Sequence, residues 1–340
     1  MSQWRQKLSN IYNLNKKIIK FNSKLSLSGE IYNQLYYTES KLINSNNYHT
    51  GSTYRLFPVI GIDIETPFKL KKNNSNFIFK PTTQLVISPG SSNSNKISNE
   101  DSTNNSYNLD NIYSLNRYSG SDKIDNSKRI NLGIEINNDQ FKFGISQLYE
   151  FTDNSNFHIE QGNEDHLGDF LGSIEYKNKN SLNYNFRYDH NDNFIKEQNI
   201  DSEYNNYFGD ITISYLDQKS KTDEIITQDT ETLNYGFESK KFLKFSKINL
   251  NGLYDLQKEI NTEYSLGYTY FDECFGITID FNRKSYKEDN LKPQDVLTLM
   301  FSFKNIGSYK SSNLAVSETD KSDIEWEGNN ISNEFFNINE

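Results

Sequence analysis

Four histidines, His49, His158, His166 and His190, are the residues of this 340-residue chain most suited to proton transfer. His166 stands near Asp165 and Asp169, and His190 near Asp189 and Asp192. A carboxylate beside an imidazole can make it a general base that activates water; a polar loop that happens to contain His is the simpler account. No His/Cys cluster has metal-ligand spacing, and no glycine-rich loop cradles phosphate. The single cysteine, in Asp272-Glu273-Cys274, cannot make an internal disulfide framework. The richest constellation lies between positions 89 and 128. It comprises Asn99, Glu100, Asp101 and Ser102, then Asn116, Arg117, Tyr118, Ser119, Gly120, Ser121, Asp122 and Lys123. Glu100, Asp101, Arg117, Asp122 and Lys123 could form one charge network that folds this segment back on the protein. Gly120 would then supply a positive φ to tighten a turn. From the residues alone, a solvated loop whose charges do nothing specific is the simpler account.

The elements that must position these residues are strands. Hydrophobic residues make up 34% of the chain but aromatics 14%, with 23 Tyr and 23 Phe. Disordered chains are poor in aromatics, and a thick-cored α/β enzyme needs more Ala, Val and Gly. A β structure with one apolar and one wet face fits. Net charge is -10, which argues against a nucleic-acid partner, whose phosphates demand a basic surface. Met1 to Asn22 mixes Arg5, Lys7, Lys16, Lys17 and Lys20 with polar residues and builds no apolar core of a signal peptide. No stretch is long and apolar enough for a transmembrane helix.

Period-two alternation runs from Leu25 to Phe303, as in Tyr264, Leu266, Tyr268 and Tyr270 against Ser265, Gly267 and Thr269. It predicts about fourteen strands, near 25–38, 52–65, 77–88, 129–137, 140–152, 169–178, 182–190, 194–204, 207–217, 231–240, 245–255, 260–271, 275–283 and 295–303. The 194–204 segment, mostly polar, is the weakest of them. Short connections alternate with longer ones at 39–51, 89–128, 153–168, 218–230 and 284–294; 189–193 and 256–259 are short exceptions. Short turns alternating with long loops are the signature of an antiparallel transmembrane β-barrel of the bacterial outer membrane. Residues 1–24 are expected to be a polar N-terminal segment, 25–303 the barrel domain, and 304–340 an acidic, disordered tail.

The two loop motifs, Cys274, Arg283 and Lys304-Asn305-Ile306-Gly307 together resemble the C-terminal barrel domain of the LPS-assembly protein LptD family. That family shows an NEDS-type tetrapeptide, an NRY-x-G-x-D-R segment, a Cys opening the penultimate strand and a Leu-Gly-like ending. Pro58, Asp63 and Pro67 look like its P-x-x-x-x-D-x-x-x-P region, and the resemblance spans Leu56 to Gly307. Lys123 stands where the family usually has Arg, which keeps the charge but not the bidentate fork.

The resemblance implies a lipopolysaccharide translocon in the outer membrane of a Gram-negative bacterium, with no enzyme activity and no cofactor. The partners implied are lipopolysaccharide, an outer-membrane lipoprotein plug and periplasmic LPS-bridge proteins. A generic porin-like channel is the alternative. The family also has a signal peptide, a periplasmic jellyroll and about 26 strands, so this chain resembles a partial, C-terminal barrel. The loop motif is then expected to fold into the barrel mouth. Leu297, Thr298, Leu299, Met300, Phe301, Ser302 and Phe303 form the last strand, one side of a lateral gate, and are expected to carry an unsatisfied or weakly paired edge. Cys274 is expected to be free here and to pair with a cysteine outside this chain.

Overall fold

The computed structural model describes residues 4–20, 22–44, 47–72, 75–88, 93–102, 108–152, 166–222, 225–240, 245–285, 294–304, 307–310 and 314–315. Among them there is no α-helix, and every strand pairing is antiparallel. The chain divides into two units, Met1–Glu203 with Ser214–Glu231, and Tyr204–Ile213 with Thr232–Glu340.

The first unit is a meander of β1 (Trp4–Lys20), β2 (Ser23–Asn44), β3 (Asn47–Glu65), β4 (Phe68–Lys72), β5 (Ser75–Ile87), β6 (Lys128–Asn137), β7 (Phe141–Glu150), β8 (Phe170–Lys177), β9 (Ser181–Asp189) and β10 (Phe194–Asn205). β3 shows why these sequences make two-faced sheet. Successive side chains point to opposite sides, so Tyr54, Leu56, Ile60, Ile62 and Ile64 share an exposed apolar face. Arg55, Phe57 and Val59 share the other, which is buried. The bare apolar band from Tyr54 to Ile64 matches the roughly 9–11 residues that cross a membrane. β1, β2 and β3 are 17, 22 and 19 residues long, so their excess length pairs beyond that band.

β3 and β4 are one strand interrupted at Pro67, which has no N–H to donate. Ile60–Glu65 and then Phe68–Lys72 pair with β5 in an unbroken register.

In the second unit, β12 (Ile225–Ser239), β13 (Ser246–Asp255), β14 (Ile260–Phe271), β15 (Phe275–Lys284) and β16 (Gln294–Phe303) pair in sequence; β11 (Gly209–Thr222) and β12 each contribute residues to both units. Phe275, Ile277, Ile279 and Phe281 lie opposite Phe303, Phe301, Leu299 and Leu297. This apolar cross-strand ladder is backed on the other face by Thr278, Asp280, Thr298, Met300 and Ser302.

Three sequence expectations need correction. The polar N-terminal segment is strand β1, zipped to β2 from Trp4↔Glu39 to Lys20↔Ser23. The expected long loops at 39–51 and 218–230 are extended hairpins: β2 runs to Asn44 and β3 starts at Asn47, while β11 runs to Thr222 and β12 starts at Ile225. Backbone pairing needs no apolar side chain, so polar strand ends do not register in hydrophobic alternation. The tail also carries two short strands, β17 (Gly307–Lys310) and β18 (Leu314–Ala315); residues 316–340 lie outside those described. The weakly patterned 194–204 segment is β10, bulged between Ile195 and Glu197.

Candidate functional site

Two stretches of the long connection between β5 and β6, residues 93–102 and 108–127, lie on the buried face of the first unit. Apolar contacts seat them. Leu115 and Ile124 join Tyr32, Phe57, Val59 and Val86, and Ile112 joins Leu148 and Leu171. Gly61 makes room, since a Cβ there would come within 2.5 Å of the Leu115 side chain.

The first ionic network centres on Asp122, whose side chain is fully buried. Its carboxylate accepts from Arg5 Nη1 at 2.5 Å and Lys7 Nζ at 2.6 Å. It also accepts the backbone N–H groups of Glu100 and Asp101, at 2.9 and 3.1 Å. In return the Asp101 carboxylate accepts the N–H of Ser121 at 3.1 Å and of Asp122 at 2.7 Å. Lys7 Nζ bridges the pair, 2.8 Å from Asp101 Oδ2. Glu100 meets Arg5 Nε at 3.1 Å.

Arg55 on β3 ties the loop backbone to the sheet, donating to the carbonyls of Ser121 and Asp122 at 2.6 and 2.7 Å. It also donates to the Tyr36 hydroxyl at 3.0 Å. Burial alone would raise both carboxyls, but Lys7 and the facing backbone N–H groups hold Asp101 and Asp122 below the ordinary carboxylate range.

The motif residues between these charges shape the loop. Asn99 Oδ1 accepts the Ser102 N–H at 3.0 Å, closing the tetrapeptide on itself. Ser102 Oγ accepts the N–H groups of Asp122 and Lys123 at 3.1 and 3.0 Å. Asn116 donates to the carbonyls of Gly120 and Lys123 and accepts the N–H of Asp125. Lys123 Nζ sits 5.7 Å from the Tyr118 ring centroid, so its charge faces a π surface and a fork is not required. Burial first, then Asp125, pushes the Tyr118 hydroxyl up to about 12.

Gly120 serves another purpose than the one expected. Among the described glycines only Gly51 has positive φ. A Cβ on Gly120 would lie 2.2 Å from the Asp101 carbonyl oxygen. Glycine is there so that the two motifs can touch.

Arg117 leaves the expected network for a second one. Its Nε donates to Asp125 Oδ2 at 2.5 Å and its Nη2 to Glu150 Oε1 at 2.7 Å, with all three side chains at most 1% exposed. Arg129 Nη1 reaches the same Asp125 oxygen at 2.9 Å, and the Ser127 hydroxyl donates to Glu150 at 2.7 Å. Burial would lower the Arg117 pKa, but the two carboxylates raise it. Asp125, Arg129 and Glu150 escape sequence reading because they sit where loop meets strand. Arg5 and Lys7 escape it because β1 was not expected; their i, i+2 spacing, which shares one strand face, was the available signal.

Three of the acids near the histidines meet cations, and Asp165 lies outside the described residues. Asp169 bonds Arg187 at 2.7 Å, Asp189 bonds Lys196 at 2.6 Å, and Asp192 bonds Lys221. The His166 and His190 rings lie 6.1 and 6.0 Å from Tyr149 and Phe170; His158 lies outside the described residues. Among the described residues no group of His, Cys, Asp and Glu could hold a metal ion.

Cys274 is exposed and free, in a turn where its N–H and that of Phe275 both donate to Asp272 Oδ1 at 2.8 Å. The edge of Leu297–Phe303 away from β15, expected to be unsatisfied or weakly paired, meets two short strands. β17 pairs with Met300–Phe303, and β18 with Val296 and Leu297.

Among solved structures, the chain is similar to the siderophore receptor PirA from Acinetobacter baumannii, with 8% identity and a TM-score of 0.45. The alignment covers 88% of this chain and 57% of that one, so the chain spans little more than half the receptor's length. Comparison with curated proteins gives no match. The family model of LptD, described as LPS transport system D, matches residues 4–270, which takes in β1 and both loop motifs and ends before Cys274. The chain therefore belongs to the LptD family, an outer-membrane β-barrel family of lipopolysaccharide transport.

Proposed function

We propose that the chain inserts lipopolysaccharide into the outer leaflet of the outer membrane, as the C-terminal barrel part of a translocon. Lipopolysaccharide is amphipathic: its acyl chains need an apolar surround and its saccharide a polar one. The two-faced strands carry this reading. β3 offers lipid an apolar band from Tyr54 to Ile64 and keeps Arg55 on the other side. β16 likewise separates Leu297, Leu299, Phe301 and Phe303 from Thr298, Met300 and Ser302. A lipid can keep its chains outside and its headgroup inside only at a seam between strands, and β16, whose second side meets the short strands β17 and β18, suits such a seam. The docked stretches 93–102 and 108–127 are then a fixed wall along which the headgroup moves. A generic porin-like channel is less well supported, because a buried, ion-paired segment occupies the polar face that a pore would need.

In this reading a lipoprotein plug and periplasmic bridge proteins deliver lipopolysaccharide, and Cys274 bonds a cysteine of the receiving domain. Exposure of the thiol supports the last point. In cells depleted of the native copy, the intact parent protein carrying Arg117→Ala and Asp122→Asn should insert into the membrane yet bring less lipopolysaccharide to the surface, read by surface labelling. Unchanged delivery with raised small-solute uptake would favour the porin-like channel.

A further inference from the structure

In the first unit the connections 21–22, 73–74, 138–140 and 178–180 lie at one end, and the long connections 88–127 and 151–169 at the other. The short-turn end has a basic corner. Net charge is -10, yet no Asp or Glu occurs in residues 1–29 or 66–99. Lys16 and Lys17 stand near the end of β1, and Lys69 and Lys71 on β4. All four are exposed, and among the described residues none of them has an ion pair. The acids at the near end of β3 are committed elsewhere: Glu65 meets Lys24 at 2.8 Å, and Asp63 accepts from Gln84 Nε2 at 2.6 Å. Apolar surface runs into the same corner. Phe68 and Leu70, 50 and 55% exposed, lie opposite Phe79 and Phe77. Those two share a face of β5 with Leu85 and Ile87, which lie opposite Ile62 and Ile60 of the exposed apolar face of β3. Lys16 is on that face too, paired through Leu27 to Ile62. A lysine there lays its stem on apolar surface and carries its ammonium to the rim.

We infer that this corner, Lys16, Lys17, Lys69 and Lys71 with Phe68 and Leu70, holds the phosphate headgroups of anionic phospholipid. In outer-membrane barrels the short turns face the periplasm, so the lipid belongs to the leaflet on that side. The apolar face takes the acyl chains, and the lysines stand where chains give way to headgroups. Basic residues at such a boundary attract anionic lipid, and salt screens the attraction. An acidic peptide would need the cations but no apolar face continuous with the lipid-facing band; Phe68 and Leu70 therefore favour lipid. The corner lies at the end opposite the docked connection, and its lipid binding does not depend on the lipopolysaccharide reading above.

The test reconstitutes the full chain in phosphatidylcholine vesicles carrying a trace of spin-labelled lipid, and reads the motionally restricted fraction by electron paramagnetic resonance. Spin-labelled phosphatidylglycerol should be restricted severalfold more strongly than spin-labelled phosphatidylcholine at low salt. That preference should collapse in about 0.5 M salt. It should also vanish in the chain carrying Lys16→Gln, Lys17→Gln, Lys69→Gln and Lys71→Gln, with restriction of phosphatidylcholine unchanged, which reports an intact lipid-facing wall. Equal restriction of the two lipids by the wild-type chain overturns the proposal, and so does a preference that survives the four substitutions. Where the fourfold variant restricts neither lipid, Lys16→Gln and Lys69→Gln decide singly: each lowers the preference if the corner binds phospholipid, and neither does if it does not. A preference that appears only after deletion of residues 316–340 would mean that the acidic tail, not lipid, covers these lysines, and would overturn it as well.

Discussion

Asp101 and Asp122 accept each other's backbone N–H: Asp101 donates to Asp122 Oδ2 at 3.1 Å, and Asp122 donates to Asp101 Oδ1 at 2.7 Å. Two like charges so close would repel, and what makes the arrangement favourable is Lys7, within 2.8 Å of one and 2.6 Å of the other. The two loop motifs are thus halves of one clasp, and β1 supplies its cation. The clasp, with the second network around Arg117, is what holds the polar segment against the sheet of this outer-membrane protein.

Asp122→Asn removes the anion from under Arg5 and Lys7 while keeping the side chain's shape. Breaking a buried pair by removing one partner costs about 3–5 kcal/mol. Hydrogen exchange across 97–124 should accelerate by several orders of magnitude in the variant, while strands β6 and β7 stay protected. Acceleration spread evenly over the sheet would mean that the clasp serves the fold at large.

Gly120→Ala should loosen the same segment, because the new Cβ meets the Asp101 carbonyl, a backbone atom that cannot rotate away. Overpacking of this kind costs about 1–3 kcal/mol. Limited proteolysis would register it as faster cleavage between the two motifs; wild-type resistance in the variant would contradict the close approach.

Acid should release the clasp only under strong conditions. Asp101 and Asp122 titrate below their usual range in the docked state, so the docked loop holds fewer protons than the released one. Docking is at full strength above the free carboxyl value of about 4 and weakens as pH falls below it. Exchange protection across the loop should be the same at pH 5 and pH 7 and fall below about pH 4. In Asp122→Asn that acid step should shrink.

Much of this fold is legible in sequence because alternation is a property of side chains that face lipid. Tyr54 to Ile64 announces itself at every second residue. Strand ends beyond the lipid band carry no such mark, which is why β1 read as a polar N-terminal segment and the hairpin between β2 and β3 as a loop. The loop motifs declare their charges but not their partners. Arg117 sits beside the clasp in sequence yet turns to Asp125 and Glu150, because the second contact arises only when β7 arrives next to β6. Gly120 was read as a turn residue when its use is contact, a distinction that only the facing chain can make. The short strands β17 and β18 beside β16 were not legible, because the tail that forms them shows no alternation.

Arg117→Ala should be more damaging than Arg117→Lys, since it leaves Asp125 and Glu150 short of a buried cation. A lysine restores the charge but not the fork that spans both carboxylates. Thermal unfolding should rank wild type above Arg117→Lys and Arg117→Lys above Arg117→Ala. Equal loss in both variants would show that geometry alone, not charge, holds the second network.

The exposed thiol of Cys274 should form a disulfide in the intact parent protein. Non-reducing electrophoresis of the Cys274→Ser parent should lose the mobility shift that wild type shows. A shift that survives the substitution would assign the bridge to other cysteines.

Transit of lipopolysaccharide along β16 is tested most directly by a photocrosslinking residue at Ser302 in the intact assembly, irradiated while lipopolysaccharide is being delivered and again after delivery has stopped. Passage through this seam predicts a crosslinked lipopolysaccharide adduct in the first sample that disappears in the second. Adduct of equal amount in both samples, or none in either, would contradict it.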